Sequence, residues 1–246
     1  MKIQITHSDK EVKYKNILIL DLYTFSTTAS ILFQKNPNNL YTISWENNEA
    51  FIVQNILNNK KKSYLLIDDS LSQIDENNIR INSHPIPIYY KNKISWKKYS
   101  SYNIIYRSQN WTQSIHKNYK SNRNILIWSL VNFNSTIKYI KENFSEITLF
   151  VCWTLWEINS DDLMCAKYYK YILEGNIDED KKYYLKLIKE MINSNWKWDF
   201  FIRYFNSRYW DILWFNLKLD LAPWVIKAEK KILWNKHVYK LYKVKF

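Results

Sequence analysis

The chain has 246 residues and no internal repeat, which favours a single domain over 1–246, built from one unit or from two similar halves of about 1–100 and 101–246. Hydrophobic residues make up 47% and charged residues 24%, a balance typical of a folded globular protein and not of a disordered one. The net charge of +13 comes from lysines scattered over the whole chain, so we interpret it as a solvated surface. Nucleic-acid binding stays an alternative that rests on charge alone.

Location is predicted from what the sequence lacks and from its cysteines. No apolar run approaches the roughly 20 residues that a membrane-spanning helix needs, so we expect no membrane partner. The first sixteen residues are polar and do not resemble a signal peptide. Cys152 and Cys165 are the two cysteines, and they are not spaced as metal ligands. We therefore expect a cytoplasmic protein and leave open whether it forms a homo-oligomer.

Glycine is almost absent. An average usage of about 7% would give roughly 17 glycines at this length, but the chain has one glycine and twelve tryptophans. Several tryptophans stand where a turn is expected, as in Asn110-Trp111-Thr112, Pro223-Trp224 and Leu233-Trp234-Asn235. Glycine suits such positions because it adopts positive φ without steric cost. We hypothesise that most of these tryptophans are glycines in the native protein, encoded by UGA codons; a genuinely tryptophan-rich protein is the alternative.

Apolar runs of strand length alternate with longer helical patterns. The predicted strands are 16–20, 40–44, 64–67, 103–106, 124–130 and 147–152. The predicted helices are 26–34, 47–58, 112–119, 134–144 with Asn134 as its N-cap, 160–173 with Ser160 as its N-cap, 178–193 and 198–207. The prolines of 82–90 indicate an extended connection, and 211–246 is read as mixed helix and strand. The alternation predicts an α/β protein, layered α/β/α, with a mixed and largely parallel sheet.

Polar residues follow each predicted strand, where ligands bind in open α/β sheets. They are Asp21, Ser26, Thr27, Asp68, Arg107, Asn110, Thr112, Asn132, Cys152, Asp161 and Asp162. We expect these residues to share one rim of the sheet. Hydroxyls at a helix start suit a phosphate, and neighbouring carboxylates suit Mg²⁺, which together favour metal-assisted phosphate chemistry. The alternatives are that the hydroxyls only cap the helix, that the acids only complement its dipole, and that the cysteines are core residues.

The order of several motifs resembles the 2-phosphosulfolactate phosphatase (ComB-like) family. The segment 21–28 reads Asp-Leu-Tyr-Thr-Phe-Ser-Thr-Thr, and 82–85 reads Asn-Ser-His-Pro. Further on, 109–112 reads Gln-Asn-Trp-Thr, 161–166 reads Asp-Asp-Leu-Met-Cys-Ala and 220–223 reads Asp-Leu-Ala-Pro. The likeness spans roughly residues 15–225.

The resemblance implies an Mg²⁺-dependent phosphatase that acts on a small, phosphorylated, anionic hydroxy acid in a step toward coenzyme M. It implies catalytic roles for Asp21, Asn110 and Asp162, and metal ligands at Asp21, Asp68 and Asp161. Substrate and phosphate contacts fall on Ser26, Thr27, Arg107, Thr112 and Asn132.

Two departures from the family pattern support a different function. Thr24 replaces an early arginine, and Gln113 follows the Asn-Trp-Thr segment where the family often has arginine. A guanidinium can grip a phosphate with two hydrogen bonds, so its loss removes anion stabilisation; Arg107 is a candidate replacement. The alternative function is therefore a catalytically inactive homologue that binds an anionic metabolite or an acidic partner.

Overall fold

The computed structural model describes most of the two ends of the chain and its central part. The described residues are 1–7, 10–21, 25–43, 64–68, 80–82, 99–107, 111–119, 122–154, 157–158, 160–176, 220–233 and 235–245. The helices predicted over 47–58, 178–193 and 198–207 lie outside these residues, as does nearly all of the connection 82–90.

Ten strands of the described part form one mixed sheet, in the order β1-β8-β2-β7-β11-β12-β3-β6-β4-β5. Their bounds are β1 Lys2–His7, β2 Asn16–Leu20, β3 Asn39–Thr42, β4 Tyr64–Asp68, β5 Arg80–Asn82, β6 Asn103–Arg107, β7 Asn124–Trp128, β8 Glu146–Val151, β11 Val225–Leu233 and β12 Lys236–Val244. A separate two-stranded ladder pairs β9 (Trp153–Thr154) with β10 (Glu157–Ile158). Strands from the first hundred residues and from the remainder interleave within the large sheet.

The large sheet contains two sets of parallel strands that run in opposite directions. β1, β8, β2 and β7 are parallel to one another, and so are β3, β6, β4 and β5. The β11–β12 hairpin joins the sets, because β11 is antiparallel to β7 and β12 is antiparallel to β3. Three antiparallel pairings in succession invert the strand direction. The sheet is therefore mixed and largely parallel, as predicted.

Helices cover both faces of the first set and give the α/β/α layering. They are α1 (Phe25–Gln34), α2 (Trp111–Asn118), α3 (Phe133–Asn143) and α4 (Ser160–Leu173). In β2, Ile17 and Ile19 belong to the core shared with α1 and α2, while Leu18 and Leu20 belong to the core shared with α3 and α4. This burial on both faces explains why β2 reads as an unbroken apolar run.

Three details of the predicted elements were wrong or missing. Asn132, not Asn134, is the N-cap of α3, because a short 3₁₀ turn over Leu130–Asn132 separates β7 from the helix. The predicted strand 124–130 therefore ends at Trp128. β1 was not predicted, and the ambiguous end of the chain contains the β11–β12 hairpin.

The described tryptophans do not occupy positive-φ positions. Among the described residues other than glycine, positive φ occurs at Asn36 (49°), Asp220 (58°) and Asn235 (59°). Trp128 and Trp224 are buried, and within the described structure their indole Nε1 atoms have no hydrogen-bond partner. A buried donor without an acceptor costs about 1–3 kcal/mol. The glycine hypothesis therefore gains support from these buried N–H groups and none from backbone conformation at the described tryptophans.

Candidate active site

The ends of β2 and β8 lie side by side and bring Asp21 close to Cys152. Asp21 follows five fully buried residues and is itself only 9% exposed. The backbone N–H of Cys152 donates to the carbonyl oxygen of Leu20, with an N···O distance of 3.1 Å. Because these strands are parallel, the first residues beyond both of them emerge at the same edge.

The first turn of α1 lies beside Asp21 and presents buried hydroxyls. The Ser26 hydroxyl donates to the carbonyl oxygen of Asp21 at 2.5 Å, which ties the helix start to the end of β2. Thr27 is fully buried, and no described group forms a hydrogen bond with its Oγ1. An α-helix also leaves its first backbone N–H groups without intrahelical acceptors. A buried hydroxyl lacking a described partner at such a position suits a phosphate oxygen.

The turn after β7 packs against α1 through serine side chains. The hydroxyls of Ser30 and Ser129 lie 3.4 Å apart. Asn132 is fully buried, and its Oδ1 accepts the backbone N–H of Ser129 at 2.9 Å. Its Nδ2 donates to the carbonyl oxygen of Ile127 at 3.4 Å. Both ends of this amide thus bind backbone groups near its own turn, so Asn132 stabilises the turn that follows β7.

Cys152 is buried, and the charges of two carboxylates act on its thiol. Burial raises the pKa of its thiol well above the usual value, and the nearby charges of Asp21 and Asp162 raise that pKa further. The thiol donates to the Ser114 hydroxyl at an Sγ···Oγ distance of 3.3 Å. Asp162 is 1% exposed and lies in the first turn of α4, where the helix dipole favours a negative charge. The charges of Asp21 and Asp162 thus both oppose ionisation of this thiol.

α2 contributes to this edge although it follows a strand of the opposite set. Thr112 and Ser114 are buried near its N-terminus, and Ser114 reaches Cys152. Gln113, one of the departures from the family pattern, is partly exposed on the same helix.

The strand directions divide the polar residues at the strand ends into two sets. Asp68 and Arg107 end β4 and β6, which run opposite to β2, β7 and β8. Along the sheet, their strand ends therefore lie at the other edge, because the β11–β12 hairpin inverts the direction between the two sets. Arg107 is 9% exposed, and burial lowers its pKa to about 10, so it stays charged at neutral pH.

Several predicted site residues lie outside the described structure. Asn110 and Thr24 are among them, as are the side chains of Asp68 and Asp161, whose backbones belong to β4 and α4. The roles expected for these residues stay predictions.

One family model matches the chain, that of 2-phosphosulpholactate phosphatase, over residues 5–201. The chain belongs to this family. The matched segment contains Asp21, the α1 hydroxyls, Cys152 and Asp162. A search of curated proteins finds no significant match to the chain.

The carboxylates of Asp21 and Asp162 are the kind of ligand that a magnesium ion takes. In the described part of the chain, no three His, Cys, Asp or Glu side chains are grouped as metal ligands. Mg²⁺ commonly takes only one or two protein carboxylates and completes its shell with water and substrate phosphate oxygens. Asp21 and Asp162 supply two such carboxylates. Burial and these two charges raise the pKa of the Cys152 thiol, and a protonated thiol is a poor metal ligand.

Sequence reasoning missed the residues that hold the rim together. Ser30, Ser114 and Ser129 were not singled out, because a serine within a helix or after a strand carries no signal of a distant partner. Asp220 was noted only as part of a C-terminal segment. Its carboxylate accepts hydrogen bonds from the backbone N–H and the side-chain Nδ2 of Asn134, each at 2.6 Å.

In the described part of the chain, no helix is both long enough and apolar enough to cross a membrane.

Proposed function

We propose that the protein is an Mg²⁺-dependent phosphatase that releases phosphate from 2-phosphosulfolactate or a related phosphorylated hydroxy acid, a step of the kind that leads to coenzyme M. The observation that carries this proposal is the buried edge where Asp21 meets the α1 hydroxyl of Ser26 and where the charges of Asp21 and Asp162 both act on Cys152, within a chain that belongs to the 2-phosphosulpholactate phosphatase family. Because both cysteines are free and buried, we also propose a cytoplasmic location.

The residues divide into those that would hold the metal and those that would hold phosphate. Asp21 and Asp162 would bind Mg²⁺, with Asp161 as a further candidate from the sequence; Asp68, which the sequence also suggests as a ligand, ends a strand of the opposite set. When bound, Mg²⁺ polarises a phosphoryl oxygen and helps to position the attacking water. The N–H groups that begin α1, with the Thr27 hydroxyl, would bind the phosphate oxygens. Thr112 and Asn110 would orient the rest of the substrate.

We propose that water, and not Cys152, attacks phosphorus directly. Water adds its oxygen to phosphorus, the ester P–O bond breaks, and the hydroxy acid leaves with a proton. The thiol of Cys152 is an unsuitable nucleophile because its pKa is raised by burial and by two carboxylates. Asp21 and Asp162, held by the ends of two elements, are the groups available to accept the proton of the attacking water.

The alternative is an inactive homologue that binds an anionic metabolite or an acidic partner. Thr24 and Gln113 favour it, because each stands where the family pattern has arginine. Arg107 ends a strand of the opposite set, so its strand does not bring it to the edge that carries Asp21.

Phosphate release assays decide between these functions. Purified protein is incubated with 2-phosphosulfolactate and with generic phosphomonoesters, with Mg²⁺ and with EDTA. We expect release that requires Mg²⁺ and that falls at least about a hundredfold in Asp21→Asn. Lys138→Gln, an exposed change on α3, serves as the control and should keep the rate. A folded protein that releases no phosphate from any substrate would establish the inactive homologue instead.

A further inference from the structure

A cleft of about 250 Å³ lies between the end of α2 and the connection that leads from β1 to β2. It is lined by Lys10, Glu11, Val12, Lys117, Asn118, Arg123 and Phe150. Three of these residues are cationic, while Glu11 supplies the one carboxylate of the described lining.

The cations of the cleft are not neutralised by the described structure. Its lysine–glutamate pairs join Lys138 to Glu142, Lys170 to Glu174 and Lys231 to Glu229, all elsewhere in the chain. Lys10 and Lys117 are exposed and form no ion pair with a described residue. Unpaired charges of one sign in a concave site focus the electric field and attract a ligand of the opposite sign.

Arg123 is held in the wall of the cleft by the backbone. Its Nη1 donates to the carbonyl oxygen of Asn118 and its Nη2 to that of Val12, both at 3.2 Å. These bonds join α2 to the β1–β2 connection and fix the guanidinium plane. Because a guanidinium has five N–H donors, three remain for a ligand.

The remaining lining residues give the cleft an apolar part and connect it to the candidate active site. Val12 and Phe150 belong to the same apolar core as Cys152, which lies two residues beyond Phe150. Asn118 donates from Nδ2 to the carbonyl oxygen of Ser114, the residue that accepts the Cys152 thiol. The cleft is therefore about one helical turn along α2 from that thiol.

We propose that this cleft is a second binding site, which takes a small organic anion with a phosphate, phosphonate or carboxylate group beside a short apolar portion. Lys10, Lys117 and the remaining donors of Arg123 bind the acidic group, and Val12 and Phe150 contact the apolar portion. The inference does not depend on phosphatase activity, since none of these residues belongs to the proposed catalytic set.

The test is calorimetric titration of metal-free protein with phenylphosphonate and with methylphosphonate at low salt. The Asp21→Asn background separates the cleft from the proposed catalytic site. We expect binding of phenylphosphonate, tighter than that of methylphosphonate. The double variant Lys10→Gln/Lys117→Gln should weaken it at least about tenfold, since two charge-assisted contacts are lost. Arg123 is kept, because its backbone bonds support the fold.

The matched control is Lys141→Gln/Lys167→Gln, which removes two exposed lysines from α3 and α4. It lowers the net charge by the same amount and should change the affinity less than twofold. Equal weakening by both double variants would overturn the proposal in favour of a general charge effect. Absence of binding at millimolar phenylphosphonate, or unchanged binding in the cleft variant, would also overturn it.

Discussion

Two buried carboxylates, Asp21 and Asp162, act electrostatically on the thiol of Cys152. Three buried ionisable groups share a small region at the ends of β2 and β8 and at the start of α4. Because two negative charges oppose its ionisation, the Cys152 thiol acts as a hydrogen-bond donor to Ser114. We therefore assign the thiol a structural role, and the proposed function assigns the metal and the proton to the carboxylates.

Replacing the thiol by a hydroxyl tests this assignment. In Cys152→Ser the hydroxyl can still donate to Ser114, so we expect phosphate release within about tenfold of the original rate and a stability loss of about 1 kcal/mol. Initial rates and urea unfolding measure the two effects. Cys165→Ser, at the other buried cysteine, is the control for stability. A Cys152→Ser protein that is stably folded but without activity would show that the thiol takes part in the reaction.

His116 gives the molecule a predictable response to acid. Burial, the charge of Lys230 and that of His237 lower its pKa to about 4, and its ring packs edge-on against Tyr239 with centroids 4.3 Å apart. The folded protein binds this proton more weakly than the unfolded chain, whose histidine pKa is about 6.5. The stabilising effect is therefore complete above about pH 6.5 and is lost as the pH falls through about 4.

Urea unfolding at pH 7 and at pH 4 measures this contribution. We expect the original protein to lose roughly 2 kcal/mol more than His116→Gln between these two pH values. His237→Gln, which removes an exposed histidine, should still lose most of this free energy of unfolding between pH 7 and pH 4. Identical pH dependence in His116→Gln and the original protein would contradict the assigned pKa.

The residues at which helices begin and end depend on contacts from distant parts of the chain. Asp220 fixes the start of α3, although 86 residues separate it from Asn134. We expect Asp220→Ala to lower the free energy of unfolding by about 1 kcal/mol, as for the loss of a helix cap. Glu142→Ala, which removes a 4.0 Å surface ion pair near the other end of the helix, should cost much less. Denaturant unfolding of both variants checks this, and equal losses would contradict the capping role.

The β11–β12 hairpin provides a test of the glycine hypothesis. Leu233 pairs with Lys236, and Asn235, in the connection between them, has a φ of 59°. The commonest two-residue hairpin loops also place positive φ at their first residue, where glycine is preferred. We expect Trp234→Gly to stabilise the protein by about 1 kcal/mol in thermal and urea unfolding. A destabilising effect, or UGG codons at all twelve tryptophans in the coding DNA, would contradict the hypothesis.

The sequence predicted elements whose signal is local. β2 is a continuous apolar run because both of its faces are covered, and the first turns of α1 and α4 contain the hydroxyl and acidic residues that indicated these helices in the sequence. β1 was missed although Ile3 and Ile5 alternate with Gln4 and Thr6, because five alternating residues near a terminus give a weak signal. The short turn that shifts the start of α3 depends on the side chain of Asn132, which is not readable as a pattern.

At the scale of the whole molecule, strand direction determines which residues can share a site. The sequence has polar residues at or just beyond the strand ends, but it could not predict that the sheet inverts at the β11–β12 hairpin. Asp21, Cys152 and Asp162 converge because β2, β8 and α4 belong to one parallel set and its helical cover. Asp68 and Arg107 end strands of the opposite set. The pairing of β12 with β3 is the contact that decides this, and it joins residues about 200 positions apart.

Mg²⁺ titration tests our proposal that Asp21 and Asp162 together bind the magnesium ion. Calorimetry compares the original protein with Asp21→Asn, Asp162→Asn and the double variant, with Glu142→Gln as an exposed control. We expect each single substitution to weaken Mg²⁺ binding at least about tenfold. The Glu142→Gln control should bind Mg²⁺ with the affinity of the original protein. We further expect the second substitution to add less than the first, because both remove ligands of one ion. Unchanged Mg²⁺ affinity in both single variants, with the fold intact, would contradict this proposal.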